Sequence, residues 1–579
     1  MGCTPSTQQR VPVRKRSTVS SRIALPYISE TTTSDLSHDT ILNDRLRYKG
    51  RTHKHENAQP HCPPVSTYAN AQDNIADAAN AAYQEFLSAF PEYRLTWILD
   101  TLRRHDYGRL ETTGETYVDY MGGAVYPESL VRVHAEFLSR SILGNTHSVS
   151  NSSKLSITCA DEARSVVLSF FHASSDEYEV IFTANATGAL KLVGEAFPFA
   201  GGSCYILSCD SHNSVHGIRE YAMSHGAQVF YTPPGSATGD FGIYATYSAL
   251  TRFQNILLQN RPQTRDTAPS LFTLTGLSNI TNSKTPLSMI QYAASLGYHT
   301  LLDAAALAAT STISLSDYPV DAMAVSFYKM FGFPTGVGAL VVKKSFLTKL
   351  KRPWFAGGTV DVVQVPGTIV TRTSVLHEQF EDGTINYLGL PAVTHGLRYL
   401  SACLPFLPLR LSCLMHFLVS GLSKLRHENG AQAVRILSAT PKRRLTSVGE
   451  QSDTGSLISL LFLSPSGEML PLAFVGDAAA QTGLSLRTGC MCNPGGTAVL
   501  LGLEAYMQHL HEGVTHADSL RAVGHELGVV RISLGLASNF QDVWTVLRFA
   551  GLLANEQARG ILWDAWNDAD ADNTPPGHE

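Results

Sequence analysis

One lysine and one aspartate stand out as side chains able to do chemistry. Lys329 lies in the run Ala324-Val325-Ser326-Phe327-Tyr328-Lys329-Met330-Phe331-Gly332-Phe333-Pro334, and no other charge occurs between Asp321 and Lys343. Desolvation in so apolar a run favours the neutral amine, the form that condenses with a carbonyl group. Taken alone, Lys329 also reads as a strand-end lysine whose head reaches water. Asp303 closes the apolar run Leu301-Leu302-Asp303-Ala304-Ala305-Ala306, and a lone carboxylate there is costly unless a cation meets it. Upstream, Ala184-Asn185-Ala186-Thr187-Gly188 opens a helix, where free amides suit a phosphate, although Asn185 or Thr187 could simply cap it. His212, in Cys209-Asp210-Ser211-His212-Asn213-Ser214, offers a flat ring or a capped turn, and Ser278-Asn279 offers an amide or a plain loop. Each signal is weak singly. In this order, an anion cradle, a ring, an amide, an acid and then Ser326 with Lys329 form the set that pyridoxal 5'-phosphate requires. The acid keeps the pyridine nitrogen protonated and the amine joins the aldehyde.

These residues need elements that bring them to one place. Strands are expected at Tyr178–Thr183, Ser203–Ser208, Gln228–Thr232, Leu271–Thr275, His299–Leu302, Ala322–Ser326 and Ala339–Val342. Helices fit between several of them, at Gly188–Ala196, Val215–Ser224, Tyr247–Gln259 and Leu287–Ser295. Such alternation predicts an α/β fold with a mainly parallel sheet covered on both faces, and ligands then collect beyond the carboxyl ends of the strands. Each residue named above follows a strand.

Length and composition set the outer limits. With 579 residues, two lobes are expected, and 44 basic against 49 acidic side chains give a net charge of -5. That balance, with no basic stripe carrying aromatics, argues against a nucleic-acid binder. Nine scattered cysteines read as reduced thiols of a cytoplasmic protein. No apolar run has the length of a membrane span. Met1-Gly2-Cys3-Thr4-Pro5-Ser6, followed by Arg10, Arg14, Lys15 and Arg16, fits acylation at Gly2 and Cys3, hence a membrane tether; an unmodified tail is the alternative. Residues 1–73 are expected to be a disordered extension, 74–566 the folded domain and 567–579 a frayed tail. Within the domain, a large lobe is expected at about 145–384, with the smaller lobe built from 74–144 and 386–566. In the latter, Leu457–Leu463 and Val529–Ser533 read as strands and Phe540–Leu553 as the closing helix.

The sequence resembles the class V aminotransferases, the branch of fold-type I pyridoxal phosphate enzymes that includes cysteine desulfurases. Within them it is most similar to the N-terminal domain of eukaryotic molybdenum cofactor sulfurases. The resemblance rests on Tyr117–Ala124, Gly144-Asn145-Thr146-His147-Ser148, Leu301–Ala306, Ser326-Phe327-Tyr328-Lys329 with Phe331–Gly336, and Phe380-Glu381-Asp382-Gly383-Thr384. It rests also on Arg487-Thr488-Gly489-Cys490-Met491-Cys492-Asn493-Pro494-Gly495 and Val530-Arg531-Ile532-Ser533-Leu534-Gly535. It implies that Lys329 joins the cofactor covalently, that Asp303 pairs with its pyridine nitrogen and that His212 stacks on its ring. Asn279 would approach the ring oxygen, while Ala186, Thr187 and Ser326 hold the phosphate. Gly358 and Thr359 would reach the phosphate of a partner subunit in a homodimer. Arg487 would grip the substrate carboxylate, and Cys492 would be the sulfur-carrying nucleophile on a mobile loop, with Cys490 as the competing thiol. No metal is implied, since Cys-x-Cys without a second pair is weak evidence for zinc.

The activity so implied is that of a cysteine desulfurase, which takes sulfur from L-cysteine as a Cys492 persulfide and releases alanine. Ala306, where many desulfurases carry glutamine, and Tyr328, where many carry histidine, point to the molybdenum cofactor sulfurase branch. Nothing after Leu553 matches that branch's second domain, so the acceptor, the molybdenum cofactor or a carrier protein, is expected to be served in trans. Two rivals remain: another class V reaction, such as transamination or C–S lysis, and a non-catalytic relay or scaffold.

Overall fold

The computed structural model of the chain describes residues 65–233, 243–262 and 268–573. Gly2 and Cys3, the expected acylation sites, lie outside them. The expected boundaries of order need correction at both ends. The first helix, Val65–Ala89, begins well before Asn74, because nothing after Pro64 breaks a helix. The last, Glu556–Asn573, runs through the expected frayed stretch, an Ala- and Asp-rich segment without Gly or Pro.

The centre is a seven-stranded sheet of β1 (Tyr178–Thr183), β2 (Cys204–Ser208), β3 (Gln228–Thr232), β4 (Leu271–Thr275), β5 (His299–Asp303), β6 (Ala322–Ser326) and β7 (Gly338–Lys343). The spatial order is β1-β7-β6-β5-β4-β2-β3. Only β7 runs against the others. Side chains alternate between two buried faces. Ile181, Leu207, Leu301 and Leu340 point into one core, and Val180, Ile206, Leu302 and Val341 into the other. Both faces are therefore covered, as near-continuous apolar strands require. The expected helix Val215–Ser224 is broken at Gly217 into Asn213–His216 and Ile218–Ser224.

A second sheet has β8 (Val434–Ile436), β9 (Leu457–Phe462), β10 (Arg487–Gly489) and β11 (Val529–Ser533), all antiparallel in the order β8-β9-β11-β10. The N-terminal segment adds to this lobe, with Thr116 and Tyr117 pairing with Leu484 and Ser485 and Asp119 bridging to Ser533. The helix Leu390–Cys403, assigned on sequence to the smaller lobe, packs instead on Asn151–Phe170 and on the short helix Phe327–Phe331 that carries Lys329. Its apolar stripe of Leu390, Val393, Leu397 and Leu400 is fully buried there.

One buried ion pair fastens the motif Phe380–Thr384 to the sheet. Arg164 donates to both oxygens of Glu381, at 2.9 and 2.8 Å, and the Phe182 amide donates to the same carboxylate at 2.7 Å. Burial alone would raise the Glu381 pKa, but Arg164 and His377 outweigh it and the value falls below the usual glutamate range. A depressed folded pKa means that this stabilisation is fully present above the unfolded value, about 4.3, and is lost as pH falls through the lower folded one. Glu381→Gln is expected to lose about 3–5 kcal/mol of stability at neutral pH. Urea denaturation at a series of pH values checks this, and the gap to the parent should close in acid.

Candidate active site

Five parallel strand ends deliver polar residues to one edge of the sheet. A cavity of about 100 Å³ there is lined by Asn185, Ala186, Thr187, His212, Ser214, Asn279, Asp303, Ser326, Tyr328 and Lys329, among others. The structure thus brings together seven of the sequence-predicted site residues, Ala186, Thr187, His212, Asn279, Asp303, Ser326 and Lys329, from five separate loops.

At one end of the cavity, β1 leads into the helix Ala186–Ala196. Asn185 caps it, its Oδ1 accepting from the Gly188 amide at 3.0 Å. The Ala186 amide donates to Ser326 Oγ at 2.8 Å, and the Thr187 and Ser214 hydroxyls are 2.8 Å apart. Two hydroxyls and a helix start thus form a neutral cradle for an anion. Gly338 of β7 makes its closeness possible, since a Cβ there would stand 2.6 Å from Asn185 backbone atoms and 2.7 Å from the Val325 carbonyl oxygen.

In the middle, His212 Nδ1 accepts from the Ser214 amide at 3.1 Å, so the neutral ring carries its proton on Nε2. His212 thus caps its own turn and also lines the cavity. Burial lowers its pKa against the pull of Asp303, and Lys329 and Arg487 lower it further. Asp303 is buried and accepts from the Ala305 amide at 3.1 Å. Lys329 faces it without a hydrogen bond or ion pair among the described residues. Burial holds its amine below the ordinary lysine pKa, with Asp303 opposing and Arg531 and Arg487 adding to the shift.

Two arginines of the smaller lobe bear electrostatically on Lys329. Arg487 on β10 and Arg531 on β11 are directly opposite one another. Arg531 escaped the sequence reading as a site residue; a charge inside the buried run Val529–Ser533 was the available signal. It donates to Asp119 Oδ1 at 2.6 Å and to the Asn279 carbonyl oxygen at 3.1 Å, while its buried Nε has no partner. Arg487 is exposed and has no hydrogen bond or ion pair among the described residues. Like charges directly opposite on a sheet repel, so an anion between them would relieve both.

Thr359, expected to reach a partner subunit's phosphate, is fully buried, and its hydroxyl is engaged by the Ala356 amide and carbonyl, both at 2.9 Å. Gly358 lies against the His147 ring. One expectation needs correction. The segment expected to form a mobile loop around Cys492 is a tight turn. The Asn493 amide donates to the Cys490 carbonyl at 3.0 Å, and both central residues are left-handed, Met491 at φ 57° and Cys492 at φ 54°. Non-glycine residues held this way cost on the order of 1–3 kcal/mol each. The turn is tied to the pocket, since Cys492 O accepts from the Asn213 amide and Met491 O from Asn279 Nδ2, each at 2.7 Å. Cys490 and Cys492 are both exposed.

With this geometry in hand, comparison with known proteins places the fold. The class V aminotransferase family (Aminotransferase class-V) matches residues 116–546. The chain belongs to this family. It is 31% identical over 476 residues to the molybdenum cofactor sulfurase of Arabidopsis thaliana, covering 78% of this chain and 57% of that one. To the protein of the same name from Bos taurus it is 33% identical over 472 residues, covering 78% and 51%. The chain thus spans between half and three-fifths of the length of these relatives. Among solved structures, the apo cysteine desulfurase of Thermococcus onnurineus NA1 aligns with a TM-score of 0.60 at 20% identity, covering 80% of this chain and 98% of that one. The desulfurase CsdA of Escherichia coli aligns at 0.59 and 19%, covering 79% and 98%. These likenesses establish the expected α/β fold of a fold-type I large domain with a smaller α/β domain.

Gly338→Ala tests the cradle. Neither contact it would meet is the end of a flexible side chain, so a loss of about 1–3 kcal/mol, typical of overpacking, is expected in thermal or urea denaturation.

Proposed function

We propose that this chain is a pyridoxal-phosphate-dependent enzyme of the cysteine desulfurase type, which moves sulfur from L-cysteine to Cys492. The observation that carries the reading is the unpaired Lys329 amine facing the Asp303 carboxylate beside an anion cradle, with two arginines acting electrostatically on that amine. These groups complement an aldehyde, a protonated pyridine nitrogen and a phosphate. Lys329 would hold the cofactor covalently, Asp303 its ring nitrogen, His212 its ring face and Asn279 its ring oxygen. Ala186, Thr187, Ser214 and Ser326 would hold the phosphate. When bound, this cofactor supplies an electron sink that acidifies the Cα proton of an attached amino acid.

The chain's own residues then divide the work. Arg487 and Arg531 bind the substrate carboxylate, a task suited to planar, forked donors. Burial lowers the pKa of Lys329, which favours the neutral amine that takes the Cα proton. The Cys492 thiolate attacks the substrate sulfur. An S–S bond forms, the Cβ–S bond breaks with its electron pair left on carbon, and protonation there gives alanine. The net change, cysteine plus thiol to alanine plus persulfide, needs no external oxidant. The relatives' name supports the molybdenum cofactor, or a carrier protein, as the acceptor.

A homodimer is part of the proposal. The hairpin Val360–Val363 with Val370–Arg372 carries Val362, Val365 and Ile369 at 56%, 84% and 61% exposure, and Trp354 is 53% exposed. Apolar groups so concentrated mark an interaction surface. Light scattering should give the mass of two chains, and Val365→Glu combined with Ile369→Glu should give that of one.

Cys492→Ala should retain the cofactor's visible absorbance and lose sulfide release from L-cysteine; normal release would reject the thiol's role, as a lyase or transaminase would show. Arg487→Ala should raise KM by the loss of a charged hydrogen bond, about 1.5–3 kcal/mol. An unchanged KM would place the carboxylate elsewhere.

A further inference from the structure

Asp210 follows β2, is 4% exposed, and forms no ion pair with any described cation. Buried carboxylates normally meet one. Its two oxygens instead collect three side-chain donors: Ser278 Oγ at 2.6 Å, Thr281 Oγ1 at 2.5 Å and Asn493 Nδ2 at 2.8 Å. The first two belong to the loop after β4, and the third belongs to the turn that carries Cys492. Asn493 is committed at every polar atom. Its amide closes the turn on Cys490, its Oδ1 caps the helix Pro494–Leu501 by accepting from Gly496, and its Nδ2 is shared between Asp210 and Asn279 Oδ1 at 3.0 Å.

The helix end is driven against the same place. A Cβ on Gly495 would stand 2.1 Å from the Cys209 carbonyl oxygen, and one on Gly496 would stand 2.6 Å from Asp210 Oδ1. The glycines after Asn493 thus allow backbone to approach backbone, which a swinging loop would not need. Asn279 completes the link. It lines the cavity, and its amide nitrogen donates to the Met491 carbonyl inside the turn.

We infer that Asp210 is a positioning residue for the Cys492 thiol. Through Asn493, which is bonded in turn to Asn279, it holds two consecutive residues in a left-handed conformation that they would not keep unaided, and so fixes the direction in which the thiol leaves the turn. All three side chains can donate to its carboxyl group, and they oppose the rise in pKa that burial imposes on it. The inference rests on the desulfurase reading for its consequence, sulfur transfer, but not for the geometry of the turn.

The test uses the full-length, cofactor-loaded protein and three variants: Asp210→Ala, Asp210→Asn and Asn493→Ala. The first readout is the ratio of Cys492 to Cys490 alkylation by iodoacetamide without substrate, measured by peptide mass spectrometry. The second is the ratio of sulfane formed from L-cysteine to Cα proton exchanged into D2O. Asp210→Ala and Asn493→Ala should each shift the alkylation ratio by about tenfold, the factor of one hydrogen bond of ordinary strength, and lower sulfane per exchange event similarly. Asp210→Asn, which keeps one acceptor oxygen, should fall between them and the parent. Visible absorbance should be unchanged in all three. An unchanged alkylation ratio in Asn493→Ala would overturn the proposal, as would parallel losses of absorbance, exchange and sulfane in Asp210→Asn. Should the parent form no sulfane, the desulfurase reading fails while the alkylation ratio still reports on the turn.

Discussion

The site depends on a buried amine whose pKa is lowered and which lies near a buried carboxylate without pairing with it. Asp303 ends β5 and Lys329 lies on the short helix that follows the adjacent parallel strand β6, yet the two do not close an ion pair. Burial penalises the ammonium more than Asp303 supports it, and the arginines beyond push the same way. Had the two groups met directly, the pair would have been a buried salt bridge, locked and unreactive. Their separation leaves both unsatisfied toward the cavity, which is the condition for holding a ligand that answers each of them.

That separation is a property of the sheet. Parallel strands in register put Thr275, Asp303 and Ala324 side by side, so residues just past the strand ends fall on one line. The one antiparallel member, β7, enters the same edge with Gly338, where any side chain would displace the backbone of the cradle. The smaller lobe answers with positive charge. Arg531 is paired with Asp119, whereas Arg487 has no ion pair among the described residues, so its whole fork is open to an incoming carboxylate.

Much of this was legible in the sequence because it is local. An apolar strand that stops at Asp303 or Ser326 marks its own end, and the strand ranges agree with the structure to within a residue or two. What the sequence hid is long-range. Nothing near Gly358 or Thr359 reveals that Thr359 turns inward onto Ala356. Arg531 sat in a motif whose apolar neighbours made it look like part of a strand, and only pairing with β10 shows what it faces. The Cys492 segment misled for a chemical reason. Asn, Pro and Gly are the residues of flexible loops, and they are equally those of a helix cap pressed against a neighbouring backbone.

A tight turn changes what sulfur transfer demands. If the thiol rode on a long arm, the protein could bring it to cofactor and acceptor in turn, and the acceptor could dock anywhere within that reach. Here only the connection Cys490–Asn493 lies between β10 and the helix that follows, and it is bonded to both lobes. The reach is then that of the Cys492 side chain. An acceptor must then come to the turn itself, where both thiols are exposed.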